Sequence, residues 1–193
     1  MRVLGESIHT LDDLRILTGY KFDEFVPFTI ATRERAILND GWKIPKLPGI
    51  YAYWVKINGI WIMTYLGKCE SNIRGIRKRI QNELLPSQSN CGPKKVHNKL
   101  YELGIDFKCA VSYLVLNEAG KAEAKILSLV DFIGNDVDNG GTRLSALKKF
   151  AGDELPLEFD YRILAEEESL LEFDYRIRKE YPQWFDSQGN FIA

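Results

Sequence analysis

Apolar positions first recur at helical spacing near the start of the chain, where Leu11, Leu14 and Leu17 follow Thr10. Thr10, with Asp12 and Asp13, can satisfy the free N–H groups of a helix beginning there. A second short helix is predicted over Thr32 to Leu38, so residues 1–47 read as a helical extension. Pro45 and Pro48 close it, since proline has no N–H to donate and clashes with a continuing helix. From Gly49 the period changes. GIYAYWVKI is a run of β-branched and aromatic residues, Asn58-Gly59 follows, and IWIMTYLG is a second such run. Two runs around Asn-Gly predict a β-hairpin, because that dipeptide accepts the left-handed turn that joins twisted strands.

Ser71 and Asn72 are placed to cap the next predicted helix, with Ile73, Ile76, Ile80 and Leu84 on one face and basic residues on the others. A Pro/Ser/Asn/Gly-rich loop from Pro86 to Pro93 leads to a helix over KKVHNKLYEL, ended by Gly104. Phe107, Cys109, Val111 and Tyr113 alternate as a strand, and Lys121 to Ile133 reads as a helix. The order β-β-α-α-β-α predicts an α+β fold: a small central antiparallel sheet, the hairpin plus a third strand, flanked by helices. Beyond NDVDNGG the pattern gives a helix (Thr142 to Phe150), a strand (Phe159 to Leu164) and a final helix (Glu166 to Tyr181). LEFDYRI occurs twice, at 157–163, where it alternates as a strand, and at 171–177, within the helix, too few copies for a solenoid. The chain divides on this reading into an extension (1–47), a core (48–139) and an α/β addition (140–193) that packs on the core or serves recognition or oligomerisation.

A hydrophobic fraction of 45% with 27% charged residues over 193 positions is that of an ordinary globular chain. No stretch approaches the roughly 20 apolar residues of a bilayer span, and Met1 to Thr10 lacks the features of a signal peptide. The expectation is a cytoplasmic protein with no membrane partner. Cys69, Cys91 and Cys109 have no C-x-x-C spacing, which points away from a disulfide framework or a structural zinc site. A net charge of −1 gives no global argument for a nucleic-acid partner, so local distribution has to carry it. Basic residues concentrate mid-chain, in RGIRKR from Arg74 to Arg79 and at Lys94, Lys95 and Lys99.

Gly49-Ile50-Tyr51 on the first predicted strand and Tyr65-Leu66-Gly67-Lys68 on the second resemble the paired triplets of the GIY-YIG nucleases, a family that allows leucine within its second triplet. Either triplet alone is a common β-rich tripeptide; the pair on two hairpin strands is more specific. The resemblance runs from about Gly49 to Asn139. It implies a nuclease fold, hydrolysis of phosphodiester bonds in double-stranded DNA, and one divalent cation, Mg²⁺ or Mn²⁺. In the family's register Arg79, three residues after Ile76 and just before Ile80, is the catalytic arginine, with Arg77 the competitor. Glu123, four residues before Leu127, takes the place of the metal-binding glutamate, with Glu167 or Glu172 as alternatives on a later helix; Asn135 or Asn139 takes that of the asparagine beyond the helix. Tyr51 or Tyr65 serves as general base or positions the water, with Lys68 stabilising a phenolate or touching phosphate. Arg74, Lys78 and His97 are supporting or phosphate-binding candidates. One departure stands out: many members carry a histidine one turn after the arginine, where this chain has Glu83. His97 is then the only nearby imidazole, and the proton acceptor is open.

These residue types suit the chemistry. Phosphodiester hydrolysis needs an activated water in line with the leaving oxygen, a cation against the anionic transition state, and a fixed donor fork such as a guanidinium. A free tyrosine, with a pKa of about 10, becomes a base only where cations stabilise its phenolate. Taken singly, each residue has a plainer reading: tyrosines are common in sheets, RGIRKR is a solvated helix face, and Glu123 is a helix-surface carboxylate. The compact additions favour a restriction-type enzyme, which implies a homodimer or higher homo-oligomer to cut both strands. A homing or repair-type nuclease is the alternative within the family, and a nucleic-acid-binding protein without turnover is the alternative outside catalysis.

Overall fold

The structure, a computed structural model, describes residues 2–32, 35–38, 43–84, 91–135 and 142–151, all within one compact unit running from Met1 to Gly152. The predicted strand at Phe159–Leu164, the helix at Glu166–Tyr181, both LEFDYRI copies, Glu167, Glu172 and Asn139 lie outside the described residues.

The chain opens with β1 (Val3–Leu4), a 3-10 turn (Gly5–Ser7) and α1 (Leu11–Thr18). The expected cap is present as a reciprocal box. The Asp13 N–H donates to Thr10 Oγ1 at 3.0 Å, and the Thr10 N–H donates to the Asp13 carboxylate at 2.8 Å. The second predicted helix is not there: its place is taken by β2 (Val26–Thr32) and β3 (Arg35–Leu38). Local helix propensity in TRERAIL is overridden by pairing, since β2 runs antiparallel to β3 on one side and to β6 (Lys108–Val115) on the other. The N-terminal segment thus adds two strands to the main sheet.

The predicted hairpin is β4 (Gly49–Ile57) and β5 (Ile60–Cys69), turned at Asn58 (φ 49°) and Gly59 (φ 88°). β4 also pairs antiparallel with β6, giving a five-stranded sheet of order β3-β2-β6-β4-β5 rather than three strands. A bulge interrupts the hairpin: Trp54 opposes Met63, yet Tyr53 opposes Tyr65, leaving Thr64 as the extra residue. Strand side chains alternate faces, so without that insertion Tyr65 would oppose Ala52 and point to the other side. The bulge therefore brings Tyr65 onto the face of Tyr51 and Tyr53.

The sheet has two faces with different contents. One, carrying Ile50, Ala52, Trp54 and Leu66, packs against α1 and α4 (Ala119–Leu129), where Leu14, Ala122 and Ile126 are buried. Trp54 donates its indole N–H to Ser112 Oγ at 2.9 Å, so burial leaves no polar atom of the ring unpaired. The other face, carrying Tyr51 and Tyr53, is covered by α2 (Gly75–Glu83) and α3 (Gly92–Glu102), through Ile76, Ile80, Val96 and Leu100.

Two helix boundaries differ from expectation. α2 starts at Gly75, and Ile73, expected on its buried face, sits in the preceding turn 90% exposed. α4 ends at Leu129, because Val130–Asp131 form β7, parallel to β1. The predicted helix at Thr142–Phe150 is a 3-10 helix over Leu144–Phe150. Just before it, Arg143 makes two near-parallel hydrogen bonds to the buried Glu6 carboxylate (3.1 and 3.0 Å) and an ion pair with Asp131 (2.7 Å), fastening this end of the unit to its beginning. Among the described residues no helix is long and apolar enough to cross a membrane.

Candidate active site

Three side chains from β4 and α2 meet at one end of the hairpin. Tyr51 is fully buried and donates its hydroxyl to Glu83 Oε1 at 2.7 Å. The same carboxylate oxygen lies 3.1 Å from Arg79 Nε, which also reaches the Tyr51 hydroxyl at 3.4 Å. The placement has local causes. Ile76 and Ile80 turn toward the sheet, which sets Arg79 and Glu83, four residues apart on one flank, over Tyr51. The start of α2 is fixed against the chain before β4, where the Ile76 N–H donates to the Leu47 carbonyl at 2.9 Å. Gly75 is required there, with φ +62° and no room for a Cβ against the Lys46–Leu47 backbone.

The Glu83 side chain is 5% exposed and that of Arg79 54%. Both Arg79 Nη groups are without partners among the described residues, so the guanidinium is gripped by its Nε edge with its fork outward. Burial raises the Glu83 carboxyl above its ordinary value of 4.5, against the opposing pull of the Tyr51 hydrogen bond and the Arg79 charge.

Tyr53 and Tyr65 complete an aromatic row, with ring centroids 5.9 Å apart for both Tyr51–Tyr53 and Tyr53–Tyr65. Tyr51 faces Gly67 rather than Tyr65 across the hairpin. A Cβ on Gly67 would stand 2.5 Å from the Tyr51 ring and hydroxyl, which explains the glycine of the second triplet by space alone. Gly92, at the start of α3, admits the Tyr65 ring in the same way. Tyr65 is half-buried, and its hydroxyl makes no hydrogen bond among the described residues. Burial first, then the Glu83 carboxylate, holds both Tyr51 and Tyr65 above the ordinary phenol value, so both are neutral. The Lys68 ammonium, expected to stabilise a phenolate or touch phosphate, lies 3.1 Å from Glu123 Oε2.

Glu123 stands on α4, its side chain 17% exposed, and acts on Tyr65 electrostatically together with Glu83 and Arg79. Among the described residues no three His, Cys, Asp or Glu side chains gather as a metal cage. A single accessible carboxylate suits Mg²⁺, which keeps several waters and takes phosphate oxygens for the rest of its shell. Glu123 is the candidate carboxylate for such an ion, and Lys68 competes for it.

The other candidates separate clearly. Arg77 is turned away, its Nε donating to the Ile44 carbonyl, so of the two arginines only Arg79 joins the tyrosines. His97 is not a surface imidazole: it is buried between Phe28 and Phe107, 3.7 Å from Cys109 Sγ, and burial pushes its pKa down to about 3. It is a neutral core residue that no phosphate reaches. Asn135 is buried and clamps Leu66, accepting from its N–H at 2.9 Å and donating to its carbonyl at 2.8 Å. It holds the outer edge of β5 in place of a neighbouring strand. Arg74 and Lys78 are exposed on or beside α2. Sequence reasoning missed Glu83, reading it only as an absent histidine, and Tyr53; the signal for Glu83 was its i,i+4 spacing from Arg79.

Comparison with protein-family models, curated proteins and solved structures finds no match for this chain.

Proposed function

We propose that the protein is a Mg²⁺-dependent DNA endonuclease of GIY-YIG type, hydrolysing phosphodiester bonds of duplex DNA in the manner of a restriction enzyme. The observation that carries the reading is the set Tyr51–Glu83–Arg79, which grips a half-exposed guanidinium beside an unengaged phenol and a carboxylate–lysine pair. Arg79 offers two Nη donors to the non-bridging oxygens of a phosphate, a geometry that guanidinium matches and ammonium does not. Tyr65, neutral and open at its hydroxyl, orients the attacking water by hydrogen bonding. Lys68 supplies a second cation for phosphate once its partner Glu123 is engaged elsewhere. A Mg²⁺ ion on Glu123 would polarise the scissile phosphate and lower the pKa of a bound water. The exposed Arg74 and Lys78 extend the cationic strip along which a DNA backbone lies. Cutting of both strands calls for two such sites, hence a homodimer or higher oligomer.

The test is digestion of plasmid and phage DNA with Mg²⁺ by the parent protein and by Tyr51→Phe, Arg79→Ala and Glu123→Ala. The parent is expected to cut and the Arg79 and Glu123 variants to lose at least about a hundredfold in rate, the usual size for one electrostatic element. Undiminished cutting by all three would overturn the site assignment. Duplex binding by a parent that never cuts would favour the non-catalytic reading.

A further inference from the structure

We propose that Glu83 is a positioning residue: together with Tyr51 it grips the Nε edge of Arg79, so that the outward Nη fork is held at one angle for an oxyanion. It rests on the nuclease reading only for what the fork binds; the grip itself is a property of the fold.

The geometry is specific on three counts. First, Glu83 Oε1 is shared, taking the Tyr51 hydroxyl at 2.7 Å and facing Arg79 Nε at 3.1 Å, so one atom sets both partners. Second, Arg79 spends only its Nε inside; a carboxylate placed for stability alone would more often take a two-pronged bond through Nη as well. Third, Glu83 is held from several sides. Its carbonyl receives Cys91 Sγ–H at 3.3 Å, and Leu84 behind it is buried. An arginine free to sample its rotamers would lose much of its value as a transition-state donor, because fixed donors need no reorganisation when charge develops.

The charge balance makes the grip sensitive to pH. Tyr51 and Tyr53 face Glu83 from β4, Tyr65 from β5, Arg79 from α2, and Cys91 with the buried Lys94 from the start of α3. Arg79 is in ion-pair contact with the Glu83 carboxylate at 3.1 Å. Protonation of Glu83 replaces that charged contact by a weaker neutral one, as Glu83→Gln does, a smaller loss than removing the acceptor altogether.

Two measurements test this. In ¹H–¹⁵N spectra of arginine Nε–Hε groups, signals protected from solvent exchange are expected in the parent for Arg77, Arg143 and Arg79, that of Arg79 being assigned by its loss in Arg79→Lys. The Arg79 signal should vanish in Glu83→Ala and survive in Glu83→Gln, which keeps an oxygen acceptor. In DNA cleavage, Glu83→Ala should lose about a hundredfold in kcat/KM, as misplaced groups do, and Glu83→Gln much less. The double variant Glu83→Ala/Arg79→Ala should be no slower than Arg79→Ala alone, since Glu83 acts through Arg79. The acid limb of the parent's pH–rate profile should disappear in Glu83→Gln. A protected Arg79 Nε–Hε signal in Glu83→Ala, or losses that multiply in the double variant, would overturn the positioning role. A parent that shows the protected Arg79 signal but cuts no DNA would overturn the nuclease reading and leave the grip standing.

Discussion

Gly67→Ala probes the packing on which the candidate site depends. The added Cβ would lie 2.5 Å from Tyr51 Cζ and from its hydroxyl oxygen, and 2.8 Å from Cε2. Restoring a carbon–carbon contact of about 3.5 Å requires a shift of roughly 1 Å. Tyr51 has little freedom to make it, being fully buried with its hydroxyl bound 2.7 Å from Glu83. A ring displaced by that amount takes its hydroxyl out of bonding range. Overpacking costs about 1–3 kcal/mol, and loss of a hydrogen bond to a charged acceptor about 1.5–3 kcal/mol. The two overlap, so the expected loss is about 2–4 kcal/mol. Gly59→Ala is the matched control: its φ of +88° strains an alanine, but nothing lies within 4 Å of the new Cβ. That substitution should cost only about 1 kcal/mol. Urea unfolding followed by tryptophan fluorescence measures both. With a slope of about 2 kcal/mol/M, Gly67→Ala should lower the midpoint by about 1–2 M and Gly59→Ala by about 0.5 M. Equal effects, or a larger one at Gly59, would refute the claim that space for Tyr51 dictates glycine at 67.

Further outcomes follow from the other buried polar groups. Asn135→Ala strips the Leu66 N–H and carbonyl of their partners and should destabilise by about 2–4 kcal/mol, read as a lower urea midpoint. Arg143→Met leaves the Glu6 carboxylate buried beside a weaker contact with Lys149 at 3.5 Å, and should cost about 3 kcal/mol at pH 7. Glu6 is lowered below 4.5 in the fold, chiefly because Arg143 outweighs burial. Its stabilisation is therefore present above that value and lost as pH falls through the folded value; Glu6→Gln should flatten this acid limb in a Tm-against-pH series. Glu83 is opposite in sign. Raised by burial, it binds a proton more readily in the folded state, so its contribution is full below 4.5 and is lost as pH rises through the folded value. Glu83→Gln should remove that decline and match or exceed the parent's Tm at pH 7.

How much could be read beforehand depends on whether local rules or tertiary pairing decide an element. The Thr10 box and the Asn58-Gly59 turn are local, and both form as their residues dictate. β2 and β3 are not local. TRERAIL favours helix by propensity, but Arg35–Leu38 pair back onto β2, which is itself joined at Val26–Phe28 to β6, far along the chain. The bulge at Thr64 was equally hidden, because IWIMTYLG is apolar on both faces and shows no alternation from which a shift could be seen. For His97 the cue was present: it neighbours Val96 and lies near Leu100 on the inner side of an amphipathic helix, which places it in the core. Glu83 was legible as a position but not as a partner, since burial of a carboxylate is set by what closes over it.

The two ends of the hairpin are built to different rules, and the difference bears on function. Near the turn, Trp54, Val55, Ile57, Ile62 and Met63 bury apolar side chains, and Trp54's one polar atom is satisfied. At the far end the same two strands bury Tyr51 and Tyr53 against Glu83, with the Tyr53 hydroxyl and Glu83 Oε2 making no hydrogen bond among the described residues. An apolar residue at 83 would fill that space with no carboxylate to desolvate, and a buried ion pair with an exposed partner seldom stabilises a fold. Nor does the topology require the arrangement, since Ile76 and Ile80 already bury α2 against the sheet and the Ile76 N–H ties its start to Leu47. Ionisable groups kept at that cost, around a guanidinium that faces outward, are the arrangement on which the proposed nuclease site rests.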